Sequence, residues 1–191
     1  MSKHLMKEDI QNCLNTLREG GIILYPTDTV WGIGCDANNP QAIQKIYDLK
    51  GRTSSKALIT LVGSEVMLER TVLNMPEIAW DLIESTNRPL TLIYDEVKGI
   101  APNAIAEDGS CGIRLAKDTF CQQLIQRLGK PIISTSANVS GEETPKDFRS
   151  ISDTILNGVD FVVNYRQNEA TSQKSSNIIK LKNNGEIKII R

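Results

Sequence analysis

The stretch YPTDTVWGIGCD, Tyr25 to Asp36, follows directly on the apolar run Ile22-Ile23-Leu24. Gly32-x-Gly34-x-x-Ala37 fits the loose form of a dinucleotide-binding fingerprint, in which a helix begins within the glycine run and meets a pyrophosphate. Here the helix-start signal comes later, at Asn39-Pro40, and Trp31 and Ile33 alternate with the glycines as residues of a strand do. The stretch therefore reads as strand, turn and strand. A turn of Pro26, Thr27 and Asp28 between apolar strands either presents backbone and small polar groups to a ligand or simply closes a hairpin. No G-x-x-x-x-G-K-[ST] segment exists, so a P-loop is excluded.

Working outward, Ile10, Cys13, Leu14 and Leu17 share one face of a helix over 7–19, which Gly20-Gly21 stop. Strands are expected at 22–25 and 30–35. Asn39 as cap and Pro40 in the first turn start a helix carrying Ile43, Ile46, Tyr47 and Leu49 inward and running into Lys50-Gly51-Arg52. A strand at 57–62, helices near 64–71 and 76–86, and strands at 90–94 and 111–115 follow. Asp118 caps a helix with Cys121, Leu124, Ile125 and Leu128 on its apolar face. A strand then runs into the polar loop ISTSANVSGEETP. A helix near 152–157, a strand at 160–163 and a hairpin turning on Asn184-Gly185 complete the chain. RQNEATSQKSS, before that hairpin, is the expected mobile loop. Neither internal repeats nor low-complexity tracts occur. The pattern predicts a single α/β domain over 1–191 with a mixed sheet.

Composition narrows the chemistry. At 191 residues, 40% hydrophobic and 24% charged, the chain is ordinary for a soluble globular domain and long enough to bury a full core. A net charge of −1 exerts no global pull on nucleic acid, so such a role needs a local basic patch. Met1-Ser2-Lys3-His4 lacks the apolar run of a signal peptide, and no segment approaches membrane-spanning length, so a cytoplasmic protein without a membrane partner is expected. Cys13, Cys35, Cys111 and Cys121 show no C-x-x-C spacing and read as reduced, buried thiols. The sole histidine, His4, sits at an expectedly frayed end. A Ser-His-Asp triad, a Cys-His pair and a histidine-rich metal centre are thereby set aside.

Three segments remain for chemistry. DLKGRTSSK clusters Lys50, Arg52 and Lys56 with Gly51 and hydroxyl residues at a helix end. Such cations suit a polyphosphate, and equally well complement a helix dipole. ISTSANVSGEETP carries six Ser, Thr or Asn side chains between Ser134 and Thr144, fit either to cradle an anion or to form a solvated loop. Arg114 lies mid-strand between Ile113 and Leu115, either on an exposed sheet face or in a cleft for an anion. Trp31 and Trp80 read as core anchors. Cations, hydroxyls and amides without a proton-shuttling histidine suit charge stabilisation, as in nucleotidyl transfer.

YPTDTVWGIG, LKGR, GIRLA and STSANVSG resemble, in order and spacing, the YrdC-like family of threonylcarbamoyl-AMP synthases, over about residues 20–191. The short, single-domain form is the one it is similar to. The resemblance implies a twisted mixed β-sheet with flanking helices around a concave basic cavity, and a reaction that joins L-threonine, bicarbonate and ATP for the tRNA modification t6A. It implies Lys50, Arg52, Ser136 and Asn138 as the catalytic K-x-R and S-x-N elements. ATP contacts would fall on Lys50, Ser54, Ser110, Ser136, Thr144 and Arg191, and L-threonine contacts on Thr27, Arg114, Ser134 and Ser176. Mg²⁺ would accompany ATP, with no protein metal ligands assigned. Implied partners are tRNA or double-stranded RNA and the threonylcarbamoyl transferase proteins that act downstream. On this basis Lys50→Ala and Arg52→Ala would fold normally and lose turnover.

The chain departs from the family pattern at three places. Thr53 follows K-G-R where proline is usual, TNRPL replaces a W-P-G-P-type loop, and SNIIK stands for S-T-V-[VI]-D, with Asn177 and Lys180 in place of Thr and Asp. These departures keep open a YciO-like sister group and a binding module for double-stranded RNA or tRNA without synthase chemistry. Hydrogenase-maturation carbamoyltransferases with a similar domain are larger, multidomain chains.

Overall fold

The computed structural model describes residues 2–51, 58–169 and 175–191. Arg52, Ser54 and Lys56 lie outside the described residues, as does the middle of the loop expected before the final hairpin. Helix α1 (Ser2–Arg18) packs Ile10, Cys13, Leu14 and Leu17 into the core and ends at Gly20, whose φ of +76° closes the turn. It starts five residues before the periodicity predicts, because Lys3, His4 and Leu5 are exposed and mark no core face. His4 is therefore helical and exposed rather than frayed, 3.9 Å from Glu8.

Strands β1 (Ile23–Tyr25) and β2 (Gly32–Asp36) form the expected hairpin. Because both glycines lie inside β2, the dinucleotide reading fails. Helix α2 (Pro40–Lys50) begins where Asn39 accepts from Ala42 N at 3.0 Å and ends at Gly51, whose φ is +62°. Then come β3 (Ile59–Val62), α3 (Glu65–Thr71), α4 (Ile78–Glu84), β4 (Leu90–Tyr94) and β5 (Cys111–Leu115). Asp118 caps α5 (Thr119–Leu128) by accepting from Cys121 N at 3.0 Å. The chain continues through β6 (Ile132–Ser136), α6 (Asp153–Gly158), β7 (Phe161–Val162), β8 (Asn177–Leu181) and β9 (Ile187–Ile189). The last two strands turn through Gly185, with φ +85°.

Among the described residues the strands join one sheet in the order β7-β1-β2-β6-β3-β5-β4-β8-β9. β1–β7, β3–β5 and β4–β8 are parallel and the other neighbours antiparallel, so the sheet is mixed, as expected. Neighbours in the sheet are mostly distant in sequence. β6 enters between β2 and β3, which places the end of β6 beside the start of β2. Helices α1 and α5 pack on each other, α1 also against β1 and β2, and α5 against β3. No helix among the described residues is long and apolar enough to cross a membrane.

All four cysteines are buried and free, and burial pushes every thiol up from its ordinary value. Burial raises Tyr25 and Tyr94 as well. An acid kept neutral by the fold stabilises it fully below the unfolded-state pKa, and that stability is lost as pH rises toward the folded value. Chemical denaturation followed against pH is thus expected to show loss of stability beginning above about 8.5, the ordinary thiol value. At pH 8 the native chain is expected to resist alkylation at all four thiols and to react at each of them in denaturant.

Candidate active site

A cavity of ≈ 190 Å³ opens where the β1–β2 turn, the end of β6 and the start of β8 converge. Its lining includes Thr27, Arg114, Ser134, Ser136, Ser176 and Arg191. Thr29, Thr135, Thr144 and Ser175 complete its polar wall.

Arg114 is the charged anchor. It is 3% exposed on β5, and its guanidinium sits 3.1 Å from Asp28 Oδ1 and 3.4 Å from Thr29 Oγ1. Its Nε has no hydrogen-bond partner. The mid-strand arginine is thus held in a cleft, not on an exposed face. A buried cation with an acid on one side and unspent donors is suited to a carboxylate or phosphate. The turn that supplies Asp28 is closed by its own hydroxyls. Thr27 Oγ1 donates to Val30 O at 2.7 Å and accepts from Thr29 N at 3.0 Å. Thr27 therefore commits its proton to the turn while lining the cavity.

The opposite wall is β6. Ser134 accepts a 2.7 Å hydrogen bond from Tyr25 OH. This contact spans β2, and Gly34 allows it: a Cβ there would stand 2.8 Å from Tyr25 Cε1 and 2.9 Å from Ile133 O. At Gly32 a Cβ would stand 3.2 Å from Ser134 Oγ. The two glycines thus clear space over the strand instead of binding a pyrophosphate. The chain's end supplies the third wall. Ser176 shares a 2.8 Å hydroxyl contact with Thr91, and Arg191 Nε donates to Ser176 O at 3.2 Å.

Lys50 stands behind the wall. It is fully buried at the end of α2, and its ammonium donates to Ser136 O and Asn138 O, each at 2.5 Å. Asn138 is also turned to the loop: its Nδ2 donates to Val139 O and Glu142 O, both at 2.9 Å. Both side chains shape the 136–142 segment, and neither lines the cavity. Ser110 lies in a neighbouring cavity of ≈ 260 Å³ that shares Ile59 and Ile178 with the first. Its hydroxyl donates to Asp108 at 2.6 Å. Asp108 also accepts from Lys180 at 2.8 Å, and the hydrogen bonds from Lys180 and Ser110 hold its carboxyl well below the usual range. Lys180, a departure from the family pattern, has thus acquired a carboxylate partner. Sequence reading overlooked Tyr25 and Thr29 and gave Asp28 no role beyond the turn. The available signal was an acid in a turn between buried strands, in a chain with a mid-strand arginine.

The family model for Sua5, YciO and YrdC, described as telomere recombination, matches residues 15–191. The threonylcarbamoyl-AMP synthase of Photobacterium profundum is 34% identical over 137 residues, covering 70% of this chain and 74% of that protein. Sua5 of P. abyssi complexed with L-threonine has a TM-score of 0.80 at 26% identity over 90% of this chain. The chain spans 50% of that protein's length. E. coli YciO gives a TM-score of 0.82 at 23% identity, over 97% of this chain and 89% of the other, a likeness of fold.

Removing the Lys50 ammonium takes the donor from Asn138 O, while Ser136 O keeps the bond from Asn138 N at 3.0 Å. Lys50→Ala, expected from the sequence to fold normally, is predicted to lose about 1–3 kcal/mol in urea denaturation, the cost of one stranded buried polar group. Gly34→Ala is predicted to lower stability by about 1–3 kcal/mol through overpacking against Tyr25, measured the same way.

Proposed function

We infer that this chain, which belongs to the Sua5/YciO/YrdC family, is an L-threonylcarbamoyladenylate synthase, a nucleotidyl-transferring enzyme that serves the tRNA modification t6A. One observation carries the reading. A single cavity gathers Thr27, Arg114, Ser134 and Ser176, expected for L-threonine, with Ser136, Thr144 and Arg191, expected for ATP.

The chemistry follows from these groups. The threonine amine and bicarbonate condense, with loss of water, to an N-carboxylate. One of its oxygens attacks the α-phosphorus, the bond to the β-phosphate oxygen breaks, and pyrophosphate leaves. The nucleophile is already an anion, so the adenylation step needs no histidine base. Arg114, braced by Asp28, holds the amino-acid carboxylate, and Ser134 and Ser176 complete that pocket. Arg191, Ser136 and Thr144 face the phosphates, and the adjoining cavity at Ser110 extends the space for ATP. Lys50 contributes by holding the Ser136–Asn138 backbone in place, while Arg52 joins Arg191 as a cation acting on the triphosphate.

Among the described residues no group of three or more His, Cys, Asp and Glu side chains could hold a metal ion. In this reading Mg²⁺ enters with the substrate, as MgATP, carried on the phosphate oxygens. The product is a mixed anhydride, which requires a transferase to deliver its threonylcarbamoyl group to tRNA.

Pyrophosphate release from ATP is expected to depend on both L-threonine and bicarbonate, with L-serine giving less. Release independent of threonine, or none in a folded protein that binds ATP, would overturn the synthase reading in favour of a nucleotide- or RNA-binding module. Arg114→Gln is expected to raise the KM for L-threonine by roughly 10-fold or more, as loss of a charge-assisted contact costs about 1.5–3 kcal/mol.

A further inference from the structure

Tyr25 does not line the cavity, yet it controls one hydroxyl that does. The side chain is fully buried on β1. Its register partner across the hairpin is Gly32, while Gly34 pairs with Ser134 on β6. The ring therefore crosses the missing side chain of Gly34 to bring its hydroxyl 2.7 Å from Ser134 Oγ.

The protons can be counted. A phenol and a serine hydroxyl each carry one proton. Among the described residues the acceptor within reach of Tyr25 OH is Ser134 Oγ, and burial keeps the phenol protonated. Because a buried donor left unpaired is costly, the Tyr25 proton goes to Ser134. Ser134 then cannot donate to Tyr25, and no other protein acceptor meets its hydroxyl among the described residues. The remaining direction for the Ser134 proton is the cavity that the residue lines. Arg114 lines the same cavity and presents positive charge.

We propose that Tyr25 is a positioning residue: by donating to Ser134 Oγ it turns the Ser134 proton into the cavity and commits that wall to an anionic acceptor, the carboxylate of the amino-acid substrate. This role rests on the reading of the cavity as an L-threonine site. It also gives the second glycine of the Gly32-Ile33-Gly34 stretch a task, since any side chain at position 34 would push the Tyr25 ring off Ser134.

Tyr25→Phe keeps the ring and removes only the phenolic oxygen. Titration calorimetry with L-threonine is expected to show affinity about 3- to 10-fold weaker in this variant, the range of one hydrogen bond. In steady state the KM for L-threonine rises while the KM for ATP and kcat stay as in wild type. Ser134→Ala is expected to weaken L-threonine at least as much, and adding Tyr25→Phe to Ser134→Ala to change its affinity no further, because Tyr25 acts only through Ser134. Equal L-threonine affinity in wild type and Tyr25→Phe would overturn the proposal. So would a parallel loss of ATP and L-threonine binding with a lowered Tm, which marks a purely structural role. A wild-type chain that binds no L-threonine would overturn the reading of the cavity and this role with it, and the wild-type titration separates that outcome from a failure of Tyr25 alone.

Discussion

β2 and β6 run antiparallel through five successive residue pairs, from Gly32↔Ser136 to Asp36↔Ile132. This ladder sets the turn after β1 against the end of β6, and the site is what lies between them. Ala137 N extends the contact by donating to Trp31 O at 3.0 Å. A slip of one residue would reverse the faces of every side chain on β6. Ser134 would leave the cavity and Ile133 would enter it. The burial of Ile33 and Cys35 on β2, and of Ile132 and Ile133 on β6, opposes such a slip.

Buried charges are the second constraint, and each is met by oriented groups. Lys50 is held by two carbonyls and Arg114 by a carboxylate and a hydroxyl. Asp9 on α1, 1% exposed, accepts from Asn164 N at 3.0 Å, Tyr165 N at 2.7 Å and Asn164 Nδ2 at 3.1 Å. Charges withdrawn from water are tolerated only with such partners. Two of these arrangements support the cavity wall: Lys50 fixes the backbone at Ser136–Asn138, and Asp28 fixes Arg114. The third ties α1 to the segment after β7. From there Arg166, at a φ of +68°, reaches Asp118 at 2.7 Å and so links that segment to the cap of α5.

Local chemistry made much of the fold legible. Asn39-Pro40 and Gly51 bounded α2 because capping needs only neighbouring atoms, and Asp118 did the same for α5. The first turn of α1 is not legible because its exposed residues mark no core face. The same limit applied to the site. Lys50 read as a phosphate-facing or dipole-complementing cation, but the carbonyls that receive it come from residues 86 and 88 positions away. Ser110 was grouped with the other hydroxyls by motif, yet it opens onto the adjoining cavity, which meets the first at Ile59 and Ile178.

By itself the sequence determined the order of the elements, their caps, the mixed α/β class and the kinds of group available: hydroxyls, amides and cations, with a single histidine. Those follow from short-range rules of backbone conformation and apolar periodicity. Only the tertiary structure decided which hydroxyls and cations share a cavity and which way their protons face. Tyr25 and Ser134 are 109 positions apart, and Arg114 is likewise distant from Asp28. Their meeting depends on strand pairing across β2 and on the absence of a side chain at Gly34, a relation that no local pattern encodes.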